Sequence, residues 1–236
     1  MNPRGAAGKT PRELSRSPVA TFTIIATDPE TGDIGVATAS RYVAVGSLVP
    51  HVRAGVGAVA TQSVAHPQLA TELLDKMEDD AEPGAALEEL LAADARRDSR
   101  QIGVVTPDGQ ATCFTGSDCV AYAGSERGTN VMCLGNMLSS PSVCTAMLEG
   151  FEGTEGRLWL RLLSALDRGE AAGGDKRGKQ AGALRVHRRA GGYRGSGEVV
   201  VDLRVDDHPE PVAELWRLFA LLRETRESEP DSGLND

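Results

Sequence analysis

Aromatic residues are scarce in this chain, and long apolar runs are missing. Phe, Trp and Tyr make up only 4% of the 236 residues, whereas glycine occurs 27 times. The core must therefore consist mainly of aliphatic side chains, and backbone segments can approach each other closely. No apolar stretch comes near the roughly 18 residues that a membrane span requires, so we expect no contact with a membrane.

Metal-site and secretion patterns are also lacking. The four cysteines, Cys113, Cys119, Cys133 and Cys144, are spaced irregularly and include no pair separated by two residues. Zinc sites usually contain such pairs, so we interpret the cysteines as reduced, mostly buried thiols. The basic residues near the N-terminus precede no apolar stretch of the kind found in secretory signals, which favours a cytoplasmic location.

Negative charge predominates in most of the chain. The net charge is −9 at pH 7, although the first twenty residues carry four basic side chains against one acidic. The remainder is therefore strongly acidic, which argues against nucleic acid as a partner. Apolar and charged residues make up 40% and 25% of the chain, as in a globular protein that buries a core.

Three regions are predicted along the chain. Residues 1–20 are rich in proline, glycine, serine and arginine, and we expect a disordered leader. Residues 21–222 contain the strand and helix patterns of a single folded domain. Residues 223–236 are polar and acidic, and we expect a flexible tail.

Strand and helix patterns alternate in blocks along the predicted domain. The predicted strands are 21–27, 34–40, 43–49, 55–61, 101–106, 111–115, 131–134, 180–188 and 198–205. Tight turns join neighbouring strands, which indicates antiparallel pairing. Two pairs of helix patterns and one final helix pattern separate or follow these strands, and several strands are apolar on both faces. The sequence therefore predicts an α+β fold of two mainly antiparallel sheets with helices on the outer faces.

Thr21 stands at the first position of the first predicted strand. A threonine hydroxyl is a weak nucleophile until a nearby base takes its proton. The α-amine of an N-terminal residue has a reference pKa of about 7.7–8.0, so an N-terminal threonine carries nucleophile and base together. In this chain the nitrogen of Thr21 forms an amide with Ala20. Alternatively, Thr21 is an ordinary strand residue.

The segment GGDKRGKQ at 173–180 nearly matches the phosphate-binding pattern G-x-x-x-x-G-K-[ST]. Gln180 replaces the serine or threonine that binds magnesium, and a strand pattern rather than a helix pattern follows. We therefore do not favour a nucleotide-dependent enzyme. The segment is either a solvated basic turn or a loop whose Asp175, Arg177 and Gln180 line a substrate pocket, with Arg177 binding a carboxylate.

Seven segments in this order resemble the bacterial and archaeal family known as domain of unknown function 1028. They are 21–24, 35–41, 53–62, 114–116, 135–136, 172–180 and 201–209. The match covers nearly the whole predicted domain. That family is placed in the Ntn-hydrolase superfamily, so the resemblance implies a four-layer αββα sandwich.

The resemblance also implies roles for individual residues. Family members typically begin with Met-Thr, so removal of the Met exposes a threonine that matches Thr21. By the same matching, Arg53 lies near this nucleophile, and Asn136 with neighbouring backbone N–H groups stabilises the oxyanion. The first hairpin also resembles that of proteasome β-subunits, which ends in a Ser-Arg pair. The substrate-binding candidates are Ser40, Arg41, Thr61, Gln62, Asp175, Arg177 and Gln180.

We hypothesise an Ntn-type amidohydrolase, a homodimer, that cleaves a small amide or peptide-like bond without a metal or organic cofactor. Thr21 attacks the substrate carbonyl once its α-amine is exposed. Because residues 1–20 precede Thr21, three alternatives remain for its amine: the true start lies downstream, the Ala20–Thr21 bond is cut, or Thr21 stays blocked. The competing hypothesis is a non-catalytic Ntn-fold binding or cell-envelope assembly module.

Overall fold

Two antiparallel sheets form the centre of the fold. The computed structural model describes residues 18–192 and 195–227. Its strands in these ranges are β1 (Thr21–Asp28), β2 (Asp33–Ser40), β3 (Pro50–Arg53), β4 (Gly57–Ser63), β5 (Arg100–Val105), β6 (Ala111–Thr115), β7 (Gly124–Gly128), β8 (Val131–Asn136), β9 (Ala181–His187) and β10 (Val199–Val205). The six-stranded sheet has the order β10-β9-β2-β1-β8-β7, and the four-stranded sheet has the order β3-β4-β5-β6.

The α-helices of the described chain cover the outer faces of both sheets. They are α1 (Pro67–Glu78), α2 (Pro83–Ala92), α3 (Ser142–Glu152), α4 (Leu158–Ala171) and α5 (Pro211–Glu227). Helices α3, α4 and α5 pack on the six-stranded sheet, whereas α1 and α2 cover the four-stranded sheet. Separate apolar clusters lie between the two sheets and between each sheet and its helices. The predicted α+β class with two antiparallel sheets is confirmed.

None of these five helices, which are all that the described ranges contain, is long and apolar enough to cross a membrane.

The first hairpin brings the head of β1 beside the end of β2. Its turn forms because the Asp28 carboxylate accepts a hydrogen bond from the Glu30 backbone N–H at 3.0 Å. Gly32 completes the turn in the left-handed backbone conformation, with a φ of 74°. Within 21–25 the odd-numbered side chains face the second sheet and the even-numbered ones face the helices, because side chains alternate along a strand.

The structure differs from the predicted elements in two places. The predicted strand at 43–49 is instead a 3-10 turn at Val45–Ser47, which follows a left-handed residue, Ala44, with a φ of 54°. That conformation interrupts an extended strand, so pairing begins only at β3. Strand β7 has no predicted counterpart, because its sequence GSERG contains no apolar residue to reveal an alternating pattern.

The packed chain extends past both predicted boundaries of the domain. Residues 1–17 of the predicted leader lie outside the described residues, but Val19 and Ala20 are buried, and Val19 forms a backbone bridge with Ser63. Helix α5 continues beyond the predicted start of the tail, where Arg226 donates a hydrogen bond to the Val200 carbonyl at 2.8 Å. Residues 228–236 of the tail also lie outside the described residues.

Burial makes two of the four cysteine thiols unreactive. Cys133 and Cys144 are buried, whereas Cys113 and Cys119 are half-buried, and all four are free thiols. Desolvation raises the pKa of the Cys144 thiol to about 12. Desolvation also raises the pKa of the Cys133 thiol well above its usual value. These two thiols are therefore protonated near neutral pH and poor nucleophiles.

The packing between the sheets can be tested at Leu134, which is fully buried there. The sheets approach so closely that a Cβ added to Gly103 would lie 3.0 Å from Cδ2 of Leu134. Leu134→Ala should lower the free energy of unfolding by about 2–5 kcal/mol, because it leaves a cavity. Leu221, which is 46% exposed, offers the matched control Leu221→Ala, with an expected change within about 0.5 kcal/mol. Urea denaturation measures the free energy of unfolding of both variants. A loss for Leu134→Ala as small as that for Leu221→Ala would contradict the packing described.

Candidate active site

The peptide bond between Ala20 and Thr21 lies at one edge of the layer between the sheets. Thr21 begins β1, Ser40 ends β2, and Asn136, which ends β8, is paired with Thr21. Antiparallel pairing brings these strand ends together. Both Ala20 and Thr21 have 0% exposed surface, so the bond between them is enclosed by the protein.

Two side chains donate hydrogen bonds to the carbonyl oxygen of Ala20. The Ser40 hydroxyl donates one, and Nη2 of Arg177 donates another at 3.3 Å. On the next residue, the Thr21 hydroxyl donates to the Val19 carbonyl at 2.8 Å. The arrangement polarises the Ala20 carbonyl and places a hydroxyl beside it in the chain.

The Asp175 carboxylate holds Arg177 in position. It is fully buried and accepts hydrogen bonds from Nε and Nη2 of Arg177 at 3.0 and 2.7 Å. The backbone N–H groups of Arg177 and Arg41 each donate to the same carboxylate at 2.9 Å. Two donors of the Arg177 guanidinium are therefore taken by Asp175, and Nη2 also reaches the Ala20 carbonyl. The prediction that Arg177 binds a substrate carboxylate stays a prediction.

Backbone pairing fixes the glycine-rich loop that carries Asp175. Leu138 and Asp175 form an isolated bridge, and the Ser139 backbone N–H donates to the Gly174 carbonyl at 3.0 Å. A Cβ added to Gly174 would lie 2.9 Å from Cε1 of Phe22, so the loop packs tightly on β1. This packing favours a pocket-lining loop over a solvated turn.

A chain of buried polar side chains runs between the sheets next to Thr21. The Thr23 hydroxyl lies 2.8 Å from that of Thr38 and donates to Oε1 of Gln62 at 2.7 Å. Nε2 of Gln62 donates to Oε1 of Gln101 at 2.8 Å, and Nδ2 of Asn136 donates to the same oxygen at 3.1 Å. All of these side chains belong to residues with 0% exposed surface. Such a network in a dry layer fixes the strand ends relative to one another.

Asn136 is the strand partner of Thr21, and its predicted role at the oxyanion stays a prediction. Its Nδ2 donates to Gln101, and the Ala20 carbonyl receives its side-chain donors from Ser40 and Arg177. Among the described residues, the buried Oδ1 of Asn136 has no hydrogen-bond donor. Asn136 is thus a candidate acceptor beside Thr21.

Arg53 lies far from Thr21. It is paired with the first residue of β4, whereas Ser63, at the other end of β4, contacts the leader. Six residues of extended strand span about 20 Å. Arg53 instead forms ion pairs with Asp75 at 2.8 Å and Glu78 at 2.6 Å on the surface of α1. The structure therefore removes Arg53 from the neighbourhood of the proposed nucleophile.

Two substrate-binding candidates point away from the layer between the sheets. Thr61 neighbours Gln62 on β4 and faces the helices, where its hydroxyl accepts a hydrogen bond from the His66 backbone N–H at 2.9 Å. Nε2 of Gln180 donates to Oδ1 of Asp207 at 3.1 Å near the surface. Neither side chain takes part in the contacts around the Ala20–Thr21 bond.

Thr23, Thr38 and Gln101 belong to the buried polar network but carry no sequence-based prediction. Thr23 shares a strand face with Ile25, and Thr38 shares one with Val36. A polar residue on an otherwise apolar strand face is the sequence signal by which members of such a network can be found.

A cavity of about 250 Å³ opens beside the site, and its lining includes Phe22, Ser40, Glu170, Asp175 and Lys179. Burial raises the pKa of the Glu170 carboxyl, which lies 2.9 Å from Nζ of Lys179. The described part of the chain contains no group of three or more His, Cys, Asp or Glu side chains placed to hold a metal. The cavity offers space for a small molecule or a peptide segment next to Ser40 and Asp175.

Comparison with known proteins identifies the family of this chain. Residues 21–215 match a family of unknown function, DUF1028. The crystal structure of protein SPO2555 from Silicibacter pomeroyi, which carries the same family assignment, is 32% identical, with a TM-score of 0.79 and coverage of 86% of each chain. A search of curated proteins found no match. The chain belongs to the DUF1028 family.

The role of Asp175 can be tested by Asp175→Asn. The variant should lose about 1–3 kcal/mol in free energy of unfolding, because Arg177 loses a buried charged partner but can still reach solvent. Asp202→Asn is the matched control, since Asp202 forms a more exposed ion pair with Arg185 at 3.1 Å and should contribute less than about 1 kcal/mol. Urea denaturation measures both, and an equal loss in the two variants would contradict the assigned role.

Proposed function

We propose that the protein is an amidohydrolase of the N-terminal nucleophile type, with Thr21 as its nucleophile after cleavage of the Ala20–Thr21 bond. One observation carries the proposal. The carbonyl immediately before the buried Thr21 accepts hydrogen bonds from the Ser40 hydroxyl and the Arg177 guanidinium. Fixed donors of this kind stabilise the negative charge that develops on a carbonyl oxygen during nucleophilic attack.

Self-cleavage begins with the Thr21 hydroxyl. Its oxygen bonds to the Ala20 carbonyl carbon, the C–N bond breaks, and the proton lost by the hydroxyl is balanced by one gained at the nitrogen. Ser40 and Arg177 stabilise the oxyanion formed between these events. Water then hydrolyses the ester, which releases the Ala20 carboxylate and leaves Thr21 with a free amine and hydroxyl.

The mature site repeats this chemistry on a separate substrate. The α-amine of Thr21, with a reference pKa of about 7.7–8.0, takes the hydroxyl proton as the oxygen attacks the substrate amide. The substrate carbonyl occupies the place left by that of Ala20, so it meets the same two donors. The leaving amine takes the proton, and water hydrolyses the acyl-enzyme.

The orphaned oxygen of Asn136 supports the same proposal. Within the described residues Oδ1 of Asn136 is buried without a donor, and Asn136 is the strand partner of Thr21. A buried acceptor of this kind costs about 1–3 kcal/mol until it is satisfied. A new N–H group on the freed Thr21 amine would be a donor in its vicinity.

The uncut chain supports a second candidate function. In it the Thr21 nitrogen is an amide, and the Thr21 hydroxyl donates to the Val19 carbonyl. Ser40 and Arg177 then satisfy a buried carbonyl, as buried backbone acceptors generally require. A chain that stays uncut would be a non-catalytic binding or cell-envelope assembly module.

Self-cleavage can be followed by intact mass after cell-free synthesis of the full chain. Thr21→Ala should abolish processing, and Ser40→Ala should slow it by about 100- to 1,000-fold through loss of an oxyanion donor. Arg177→Gln should slow it less, because its hydrogen bond to the carbonyl is long. Thr27→Ala, at a buried threonine of the same strand, is the matched control and should process like the parent. Normal processing of folded Ser40→Ala, verified by circular dichroism, would refute the assigned role of Ser40.

A further inference from the structure

We infer that the leader residues before Thr21 occupy the acyl-binding part of the mature site, so that its substrates are peptides with a small residue before the scissile bond. The inference rests on the proposed function, because it takes Ala20–Thr21 as the first bond that the site cleaves. It also specifies the substrate of that function: a peptide bound along its main chain rather than any small amide.

The main chain of Val19 is bound as an added strand residue would be. Its N–H donates to the Ser63 carbonyl at 2.5 Å, and the Ser63 N–H donates to the Val19 carbonyl at 3.0 Å. Ser63 ends β4, so the leader crosses from the six-stranded sheet to the four-stranded one at this point. Every extended peptide without proline at this position carries the same two backbone groups, so the pairing itself recognises the main chain of a peptide.

The burial of the leader residues sets the size of the side chains that fit. Ala20 has no exposed surface, and Val19 is 5% exposed and belongs to the apolar cluster between the sheets. A large residue in place of Ala20 would have to displace packed protein atoms. A charged residue in place of Val19 would have to leave water. The site should therefore prefer a small residue before the scissile bond and an apolar one before that.

The pairing with Ser63 should also make the site discriminate between peptide substrates and simple amides. Once the leader leaves, the Ser63 N–H and carbonyl lose the partners that Val19 provides. An acyl group of a single residue can reach the donors Ser40 and Arg177 but cannot restore this two-way pairing. A substrate with a second residue can restore it, as the leader does.

The test uses the full chain, allowed to process, with its mass recorded first. Three fluorogenic amides of aminomethylcoumarin are then compared: acetyl-Pro-Val-Ala, which copies the leader; acetyl-Pro-Val-Phe, with a large residue before the scissile bond; and acetyl-Ala, without the second residue. In each reaction Thr21 Oγ1 bonds to the carbonyl carbon and the C–N bond breaks. The coumarin amine takes a proton from the Thr21 amine, and water hydrolyses the ester to the peptide acid.

We expect kcat/KM for the leader-like reporter to exceed that of each of the other two at least tenfold. The precursor should behave in parallel, with Ala20→Phe processing at least tenfold more slowly than Ala20→Gly. A processed protein that cleaves none of the reporters, or cleaves all three at similar rates, overturns this inference and leaves the proposed function standing. A folded chain that never processes overturns the proposed function, and this inference falls with it.

Discussion

The geometry of the candidate site depends on one buried carboxylate. Asp175 accepts two hydrogen bonds from the Arg177 guanidinium and two from backbone N–H groups, one of them that of Arg41 just after β2. These contacts tie the glycine-rich loop to the first hairpin and aim Arg177 at the Ala20 carbonyl. A flexible arginine becomes a fixed donor in this way, which is the condition under which a donor contributes to catalysis.

The polar network between the sheets gives this carbonyl its rigid surroundings. Gln62 and Gln101 link strands of the four-stranded sheet to Thr23 and Asn136 of the six-stranded one. An apolar cluster in the same layer includes Val19 of the leader and Ile25 of β1, so the network adjoins tightly packed side chains. One structural unit therefore contains the enclosed leader, the polarised carbonyl and the network. In the proposed chemistry this unit is the site of cleavage.

Much of the fold could be predicted from alternating apolar residues and strong turn sequences, as in the hairpin from Thr21 to Ser40. Strand β7 could not, because its polar residues pair at a sheet edge without an apolar signal. Thr61 and Gln62 are adjacent on a strand, so alternation alone forbids both from facing one site. Arg53 was misplaced because its distance from Thr21 depends on which end of β4 meets the leader, and only the register between strands settles that.

The central claim is that the chain cuts itself between Ala20 and Thr21. N-terminal sequencing of the purified protein, expressed with residues 1–20 before Thr21, tests this claim most directly. The account predicts a mature chain that begins Thr-Phe-Thr-Ile, with the amine of Thr21 free. A folded protein that retains residues before Thr21 would contradict it.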